Sequence, residues 1–382
     1  MNVTKSLKQK YVFQDRNLFD EFRYMVNESI RVGIESKLTS KLSLRNLVYD
    51  RFKNNYNTYL ISMAVFKAHA ILKNYRKTAK KKPDAKVPYM KKNVIIIDSN
   101  NIKLTGNYIH FSTKPRQFIA INLNAYLISK LSEQGIKIGN MIIRENEIII
   151  PYSYTSKEKL PSGYIGIDMN FENVTSFDGK ENVHDLSPIT SYKQIVRERL
   201  SHLTRNDHRI RKKLAQKYGK KQKDKENNFL YNLANGIVSQ NKIPILEKLK
   251  YIRNHGRKGD WKGKRFRFRL NSWSRFKLQQ IISYKSNENG LLVIYVNPKG
   301  TSSKCSICED TILEENRMIR CPKCGLHIDR DINAARNILA RGIKQIGLPI
   351  RSIPDAVQGE AMKQFKDAKQ IVPSQFIQTT IS

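Results

Sequence analysis

Cys305-Ser-Ile-Cys308 is followed, after twelve residues, by Cys321-Pro-Lys-Cys324-Gly325, and then by His327-Ile-Asp-Arg-Asp331-Ile-Asn-Ala-Ala-Arg-Asn337. These four cysteines are the chain's entire complement. Two Cys-x-x-Cys hairpins at that separation place four thiolates around one tetrahedral Zn²⁺, an ion that favours soft sulfur ligands. Four thiolates leave no open position for water or substrate, so this zinc is expected to be structural. The clustering argues against scattered buried thiols, a redox pair or disulfides. A zinc ribbon leading straight into an acidic Asp-x-Asn-Ala-Ala-x-Asn segment suggests a metal-dependent nuclease rather than a simple zinc-binding module.

Composition points the same way. The chain has 382 residues, enough for two or three domains with real cores, and 40% of them are hydrophobic. Lys and Arg number 70 against 33 Asp and Glu, a net charge of +37. That excess predicts a polyanionic partner, and its spread along the chain suits a broad nucleic-acid channel better than one phosphate pocket. A basic membrane-surface protein would need an amphipathic anchor or a lipidation site, and neither motif is found. No apolar run approaches the ~20 residues of a transmembrane helix. The polar start, Met1 to Lys10, lacks a signal-peptide core, and with reduced-type cysteines an intracellular protein is expected.

Outward from the cysteines, the chain divides by pattern. Residues 14–76 carry apolar residues at three- and four-residue steps and read as helical, and the basic Arg76–Pro83 stretch reads as a linker. A helical recognition region is thus expected over 1–92. Short strand-like runs at Val94–Ile97, Tyr108–Phe111, Phe118–Ile121 and Ile148–Ile150 predict a small, barrel-like β domain over 93–160. After Pro161-Ser-Gly163 a different domain begins, spanning 161–300 with a helical insertion at about 190–235. Tyr164–Met169 is a buried-strand pattern ending in an acid, and Val174–Phe177 is its hairpin partner. Residues 192–216 read as one long basic helix with Val196, Leu200, Leu203, Ile210 and Leu214 as its stripe. Ile243–Lys248 and Leu291–Val296 are further strands. The zinc ribbon occupies 301–326, and the remaining domain and tail 327–382, with a helix over Ala334–Arg341 stopped by Gly342.

Phosphodiester hydrolysis with two divalent metals needs carboxylates converging on one point, holding hard cations about 3.5–4 Å apart. Three acids stand at suitable places: Asp168 closing a strand, Glu247 in an apolar stretch, and Asp331 opening a helix. Asp331 also suits a helix cap, and Asp329 competes with it for the third role.

The order and context of these acids resemble the RuvC-like nuclease domain of TnpB, the transposon-encoded RNA-guided endonuclease family related to type V CRISPR effectors. Gly166-Ile-Asp-Met-Asn170 matches the family's first motif, Ile245-Leu-Glu-Lys-Leu249 its second and Asp329–Asn337 its third. Val296-Asn-Pro-Lys-Gly-Thr-Ser-Ser-Lys-Cys305 resembles the lead-in to its zinc ribbon. The resemblance covers roughly residues 163–342 and implies an α+β multidomain protein: a helical and β-barrel-like amino-terminal region, then a RuvC-like (RNase H fold) domain with an inserted four-cysteine ribbon. It implies Asp168, Glu247 and Asp331 as catalytic acids holding Mg²⁺, two ions by expectation and Mn²⁺ as a substitute. It selects Asp331 over Asp329. One departure is Met169-Asn170, where many relatives carry a small or apolar residue followed by glycine.

The implied activity is RNA-guided DNA cleavage. The partners would be a transposon-derived guide RNA, double-stranded target DNA with a short flanking motif, and a separate transposase of the same element. The alternatives are a transposase or resolvase working without a guide, and a nuclease-inactive guided repressor. Two basic stretches are candidate nucleic-acid contacts. One carries Arg253, Arg257, Lys258, Trp261, Lys262, Lys264, Arg265, Arg267 and Arg269, mixing cations for phosphates with aromatics for bases. The other carries Arg209, Arg211, Lys212 and Lys213 on the long helix.

Overall fold

The structure is a computed structural model that describes residues 1–202, 208–248 and 273–347, with Leu270 between them. It divides into two compact units, residues 2–155 and residues 156 onward with Met1.

In the first unit, strand β1 (Asn2–Lys10) precedes three helices, α1 (Asn17–Glu35), α2 (Lys41–Tyr49) and α3 (Thr58–Ala79). Strands β2 (Val94–Ile97) to β8 (Glu147–Thr155) and the short α4 (Ala125–Leu131) complete it. Its strands form two sheets, one ordered β1-β8-β7-β2 and one of β3-β4-β5, where the sequence suggested one barrel-like domain. The expected separation at residue 92 has no counterpart. Phe22, Met25, Leu60 and Leu72 from the helices share one core with Ile95, Ile97, Ile143 and Ile150 from the sheet. The polar start is also part of the sheet, with β1 antiparallel to β8 from Asn2↔Thr155 to Lys10↔Glu147. Arg76 belongs to α3 rather than to a linker, and its guanidinium donates to the Gly33 and Leu38 carbonyls at 2.9 and 2.6 Å.

The second unit is built on a five-stranded sheet ordered β11-β10-β9-β12-β13. These are β9 (Gly163–Met169), β10 (Asn173–Phe177), β11 (Glu181–Asp185), β12 (Lys242–Glu247) and β13 (Ile294–Val296). The hairpin β9–β10–β11 is antiparallel, while β9, β12 and β13 run parallel. Strand β13 is shorter than the Leu291–Val296 run implied. The long basic helix is two, α5 (Ser187–Ser201) and α6 (His208–Val238), and Leu203 lies outside the described residues. Ile210 is 53% exposed, so the expected stripe does not continue onto α6 as a buried face.

Side chains alternate across a strand, and here that alternation decides everything downstream. Ile165, Ile167 and Met169 of β9 and Leu246 of β12 pack against α6 and α7 (Arg275–Glu288), meeting Ala234, Ile237, Leu278 and Ile282. Tyr164 and, on β12, Ile243 and Ile245 pack on the opposite face against α8 (Arg330–Gln345), with Ile338, Leu339 and Ile343. Asp168 and Glu247 have the parity of that second face.

Helix α8 comes unusually close to the sheet because two glycines let it. A Cβ on Gly166 would stand 2.3 Å from the Ala335 carbonyl oxygen and 2.7 Å from the Leu339 nitrogen. A Cβ on Gly342 would meet the Ile245 side chain at 2.4 Å. Gly342 therefore lies inside α8, which continues to Gln345, and is a packing residue rather than a stop. Gly166→Ala must move backbone and is expected to destabilise by about 1–3 kcal/mol, the usual range for overpacking. Gly342→Ala meets only side-chain atoms and gains roughly 1 kcal/mol of helix propensity, so it should cost less. Thermal denaturation of the two variants checks the order; equal losses would contradict the backbone-contact account.

Candidate active site

Asp168 and Glu247 sit at the carboxyl ends of adjacent parallel strands, with Gly166 opposite Ile245 and Ile167 opposite Leu246 in register. Ligands of open α/β sheets bind at such strand ends. Asp331 arrives from α8, one residue into the helix. Asp329 is the cap of that helix: its Oδ1 accepts from the Asp331 and Ile332 nitrogens at 2.8 and 3.3 Å. This use is the ordinary N-cap role of Asp and leaves Asp331 as the acid aimed at the sheet.

Asp168 and Asp331 are buried, Glu247 is half-buried, and the charges of the other two bear on Asp168. Asp168 is 8% exposed and Asp331 2%. The Asp168 carboxyl is pushed up to about 7, first by burial, then by the charge of Glu247, with Asp331 adding to it and the Asn170 amide opposing it. Glu247 is also raised, chiefly by burial, against a hydrogen bond from the Thr301 hydroxyl and the charges of Arg341 and Arg275. Like charges gathered in a low-dielectric site disfavour ionisation, and a divalent cation reverses that logic. The donor set, all hard oxygen, fits Mg²⁺ or Mn²⁺.

Asp331 is also turned toward protein partners. Its Oδ2 accepts from Asn173 Nδ2 at 3.1 Å and from the Arg317 guanidinium. Arg317 follows Asn316 in the hairpin between β14 (Leu313–Glu315) and β15 (Met318–Arg320), and both residues have positive φ, 47° and 72°. Glycine is favoured at that second position, so an arginine there is strained, and its side chain is the one that reaches Asp331. Among the described residues, the four cysteines are the group whose ligand atoms all lie within 4.8 Å of one another. The three carboxylates share one neighbourhood without closing to that distance.

The cysteines form a compact cluster. Sγ–Sγ distances are 3.5 Å for Cys305–Cys324 and 3.4 Å for Cys308–Cys321. A tetrahedral Zn²⁺ with bonds of about 2.3 Å needs sulfurs about 3.8 Å apart, so the cluster can hold zinc with little adjustment. Two matching backbone turns present it: the Glu309 nitrogen donates to the Cys305 carbonyl and the Gly325 nitrogen to that of Cys321, both at 3.0 Å. The ribbon sheet β14-β15-β16 ends on β16 (His327–Asp329), so the ribbon runs directly into the cap of α8.

Of the candidate nucleic-acid residues, Arg209, Arg211, Lys212 and Lys213 lie exposed on α6. Arg253, Arg257, Lys258, Trp261, Lys262, Lys264, Arg265, Arg267 and Arg269 lie outside the described residues. Sequence reasoning missed Thr301, Arg317 and Asn173, although Thr301 stands in the quoted ribbon lead-in. It noted Asn170 only as a departure.

A family model described as Cas12f1-like, TNB domain, matches residues 273–338, from the lead-in to α7 through the ribbon into α8. A TnpB-like protein of Methanocaldococcus jannaschii is 34% identical over 260 residues, which span 63% of this chain and 92% of that protein. The chain belongs to the TnpB-like family. This TnpB-family chain is also 41% identical over 88 residues to the CRISPR-associated endodeoxyribonuclease Cas12f1 of Sulfoacidibacillus thermotolerans, covering 22% of the chain and 20% of the relative. In fold it is similar to a Cas12f1 solved by cryo-EM with sgRNA and target DNA, with a TM-score of 0.53 at 15% identity over 85% of this chain and 81% of that one. The TnpB-family chain is thus a mixed α/β multidomain protein related to the type V effectors. Among its described residues, no helix is long and apolar enough to cross a membrane.

Proposed function

We propose that this protein is an RNA-guided DNA endonuclease of a transposable element, acting inside the cell, with Asp168, Glu247 and Asp331 as its metal-binding catalytic acids. The observation that carries the reading is the convergence of Asp168 and Glu247, from two adjacent parallel strand ends, with Asp331 from a helix start, two of them buried and Glu247 half-buried, in a family whose relatives include an endodeoxyribonuclease. A bound divalent pair supplies an activated water and charge stabilisation at the scissile phosphate. The carboxylates orient and hold, and the Thr301 hydroxyl fixes one Glu247 oxygen. Water adds to phosphorus as one P–O bond of the DNA strand breaks. The protein's excess of cations neutralises nucleic-acid phosphates, with Arg209, Arg211, Lys212 and Lys213 of α6 and the basic stretch from Arg253 to Arg269 as its contacts. Base pairing with the guide supplies sequence, and the amino-terminal unit reads a short flanking motif. A transposase of the same element is the expected companion, and zinc the expected structural ion.

The test is to express the chain with its native flanking DNA, sequence any RNA that copurifies, and assay matching DNA with Mg²⁺. A discrete RNA ending in a variable segment, with cleavage directed by that segment, supports the reading. Cleavage without RNA would move an unguided transposase or resolvase forward, and guided binding without cleavage a repressor.

Arg317 offers a separate check. Arg317→Gln removes the closer of two arginines from buried Asp331 and leaves Arg330 Nε 3.6 Å from its Oδ1, so the metal-free protein should melt lower than wild type. The same change removes a positive charge that a divalent cation must displace from Asp331, unlike the neutral Asn173 amide, so saturating Mn²⁺ should raise the melting temperature more than it does in wild type. Thermal scans with and without Mn²⁺ decide; an equal or smaller rise counts against the competition.

A further inference from the structure

The turn that joins β9 to β10, Asn170-Phe-Glu-Asn173, carries two amides, and each serves a different acid. Asn170 Nδ2 donates to Asp168 Oδ2 at 2.8 Å. Asn173 Nδ2 donates to Asp331 Oδ2 at 3.1 Å, across 158 residues of sequence. The turn is locked, because the Asn170 nitrogen donates to the Asn173 carbonyl at 2.9 Å and the Leu186 nitrogen donates to the Glu172 carbonyl at 2.6 Å. It is also anchored from the other face of the sheet, where the Trp273 indole donates to the Asn170 carbonyl at 2.7 Å. Trp273 is itself stacked under the Arg275 guanidinium, 4.2 Å from the ring centroid, at the start of α7. Asn173 Oδ1 is buried and has no hydrogen-bond partner, which leaves an acceptor beside Asp331 for a donor that the described residues do not supply.

Resting on the nuclease reading, we propose that Asn170 and Asn173 are positioning residues that each hold the Oδ2 of one acid, which leaves for the divalent cation the Oδ1 of Asp168 and that of Asp331, the latter with Arg330 Nε at 3.6 Å. Partners that orient metal-ligating carboxylates commonly govern affinity by about 10–100-fold. Asn170→Gly removes the amide from the turn. Asn173→Asp keeps the shape of the side chain and removes the donor.

The experiment measures Mn²⁺ affinity of the full chain by calorimetry for wild type, Asp168→Asn, Asn170→Gly and Asn173→Ala. Asn173→Asp is the isosteric second variant, and metal-free melting temperature is the fold control. The expected result is loss of the tight site in Asp168→Asn and affinity weakened about tenfold or more in each asparagine variant. In a cleavage assay kcat should fall while KM for DNA stays, since each amide is engaged by an acid and acts through it. Wild-type binding that depends on Asp168 yet survives within twofold in the folded Asn170→Gly and Asn173→Asp variants overturns the proposal alone. No Asp168-dependent binding in wild type overturns the nuclease reading and this proposal with it.

Discussion

Asp168→Asn is expected to abolish DNA cleavage and, at neutral pH, to raise the melting temperature of the metal-free protein. The loss should exceed the roughly 10–100-fold that removing a partner of a metal ligand causes, because the ligand itself goes. The gain in stability follows from the same burial. An acid whose folded pKa lies near 7, against an ordinary 3.8, binds its proton more tightly folded than unfolded. Its unfavourable contribution therefore grows as pH rises from about 4 to about 7 and stays constant above that. The displacement, which already contains the repulsion from Glu247, sets a ceiling of roughly 4 kcal/mol.

Asparagine removes the ionisation and keeps the shape, so Asp168→Asn should melt several degrees above wild type at pH 7.5 and converge with it near pH 4. Mg²⁺ should raise the melting temperature of wild type and leave the variant unmoved. A variant that melts below wild type at pH 7.5 in the absence of metal would refute the account of a site held at the expense of stability. Measuring both melting curves across pH separates this from a general packing effect, which would not depend on pH.

Much of this site was legible because its residues obey short-range rules. The cysteine spacing, the apolar run ending in Asp168 and the Asp-x-Asn-Ala-Ala-x-Asn segment each carry their chemistry locally. The segment's small residues have a physical reason, since Ala335 is the point where α8 touches Gly166. What escaped depends on partners distant in sequence. Strand β1 alternates in burial, but its inward positions are Val3, Lys5, Leu7 and Gln9, so only half of them are apolar and its period-two signal in the sequence is weak until β8 pairs with it. Gly342 looks like a helix stop until Ile245 is seen beneath it. Arg317 and Asn173 look like turn and strand residues, and only the tertiary fold brings both to Asp331. Asn170 departed from the family pattern in the place where the structure gives it a partner, Asp168.

Loss of zinc should silence the nuclease without any change to its acids. The ribbon is stitched to α8 by the two asparagines of the acidic segment, both buried. The Ser306 nitrogen donates to Asn333 Oδ1 at 2.9 Å, and Asn333 and Asn337 donate to the Lys304 carbonyl at 2.8 and 2.7 Å. Asn337 also reaches the Thr301 carbonyl at 2.8 Å, and Thr301 holds Glu247. On the other side of the ribbon, β15 pairs with β16, setting Met318 opposite Asp329, the cap of α8. Structural zinc binding amounts to about 10–16 kcal/mol in isolated zinc-finger peptides, far more than a three-stranded ribbon of three-residue strands can supply by itself. Without the ion, the ribbon should open, and each buried amide left without its partner costs roughly 1–3 kcal/mol. Asp331 and Glu247 would then lose their registration together. Cys321→Ser is accordingly expected to lose zinc and cleavage together, with excess Mg²⁺ giving no rescue. The unit formed by residues 2–155 has its own core and should keep its protection from proteolysis. Elemental analysis beside a cleavage assay tests this, and full activity in protein shown to lack zinc would sink it.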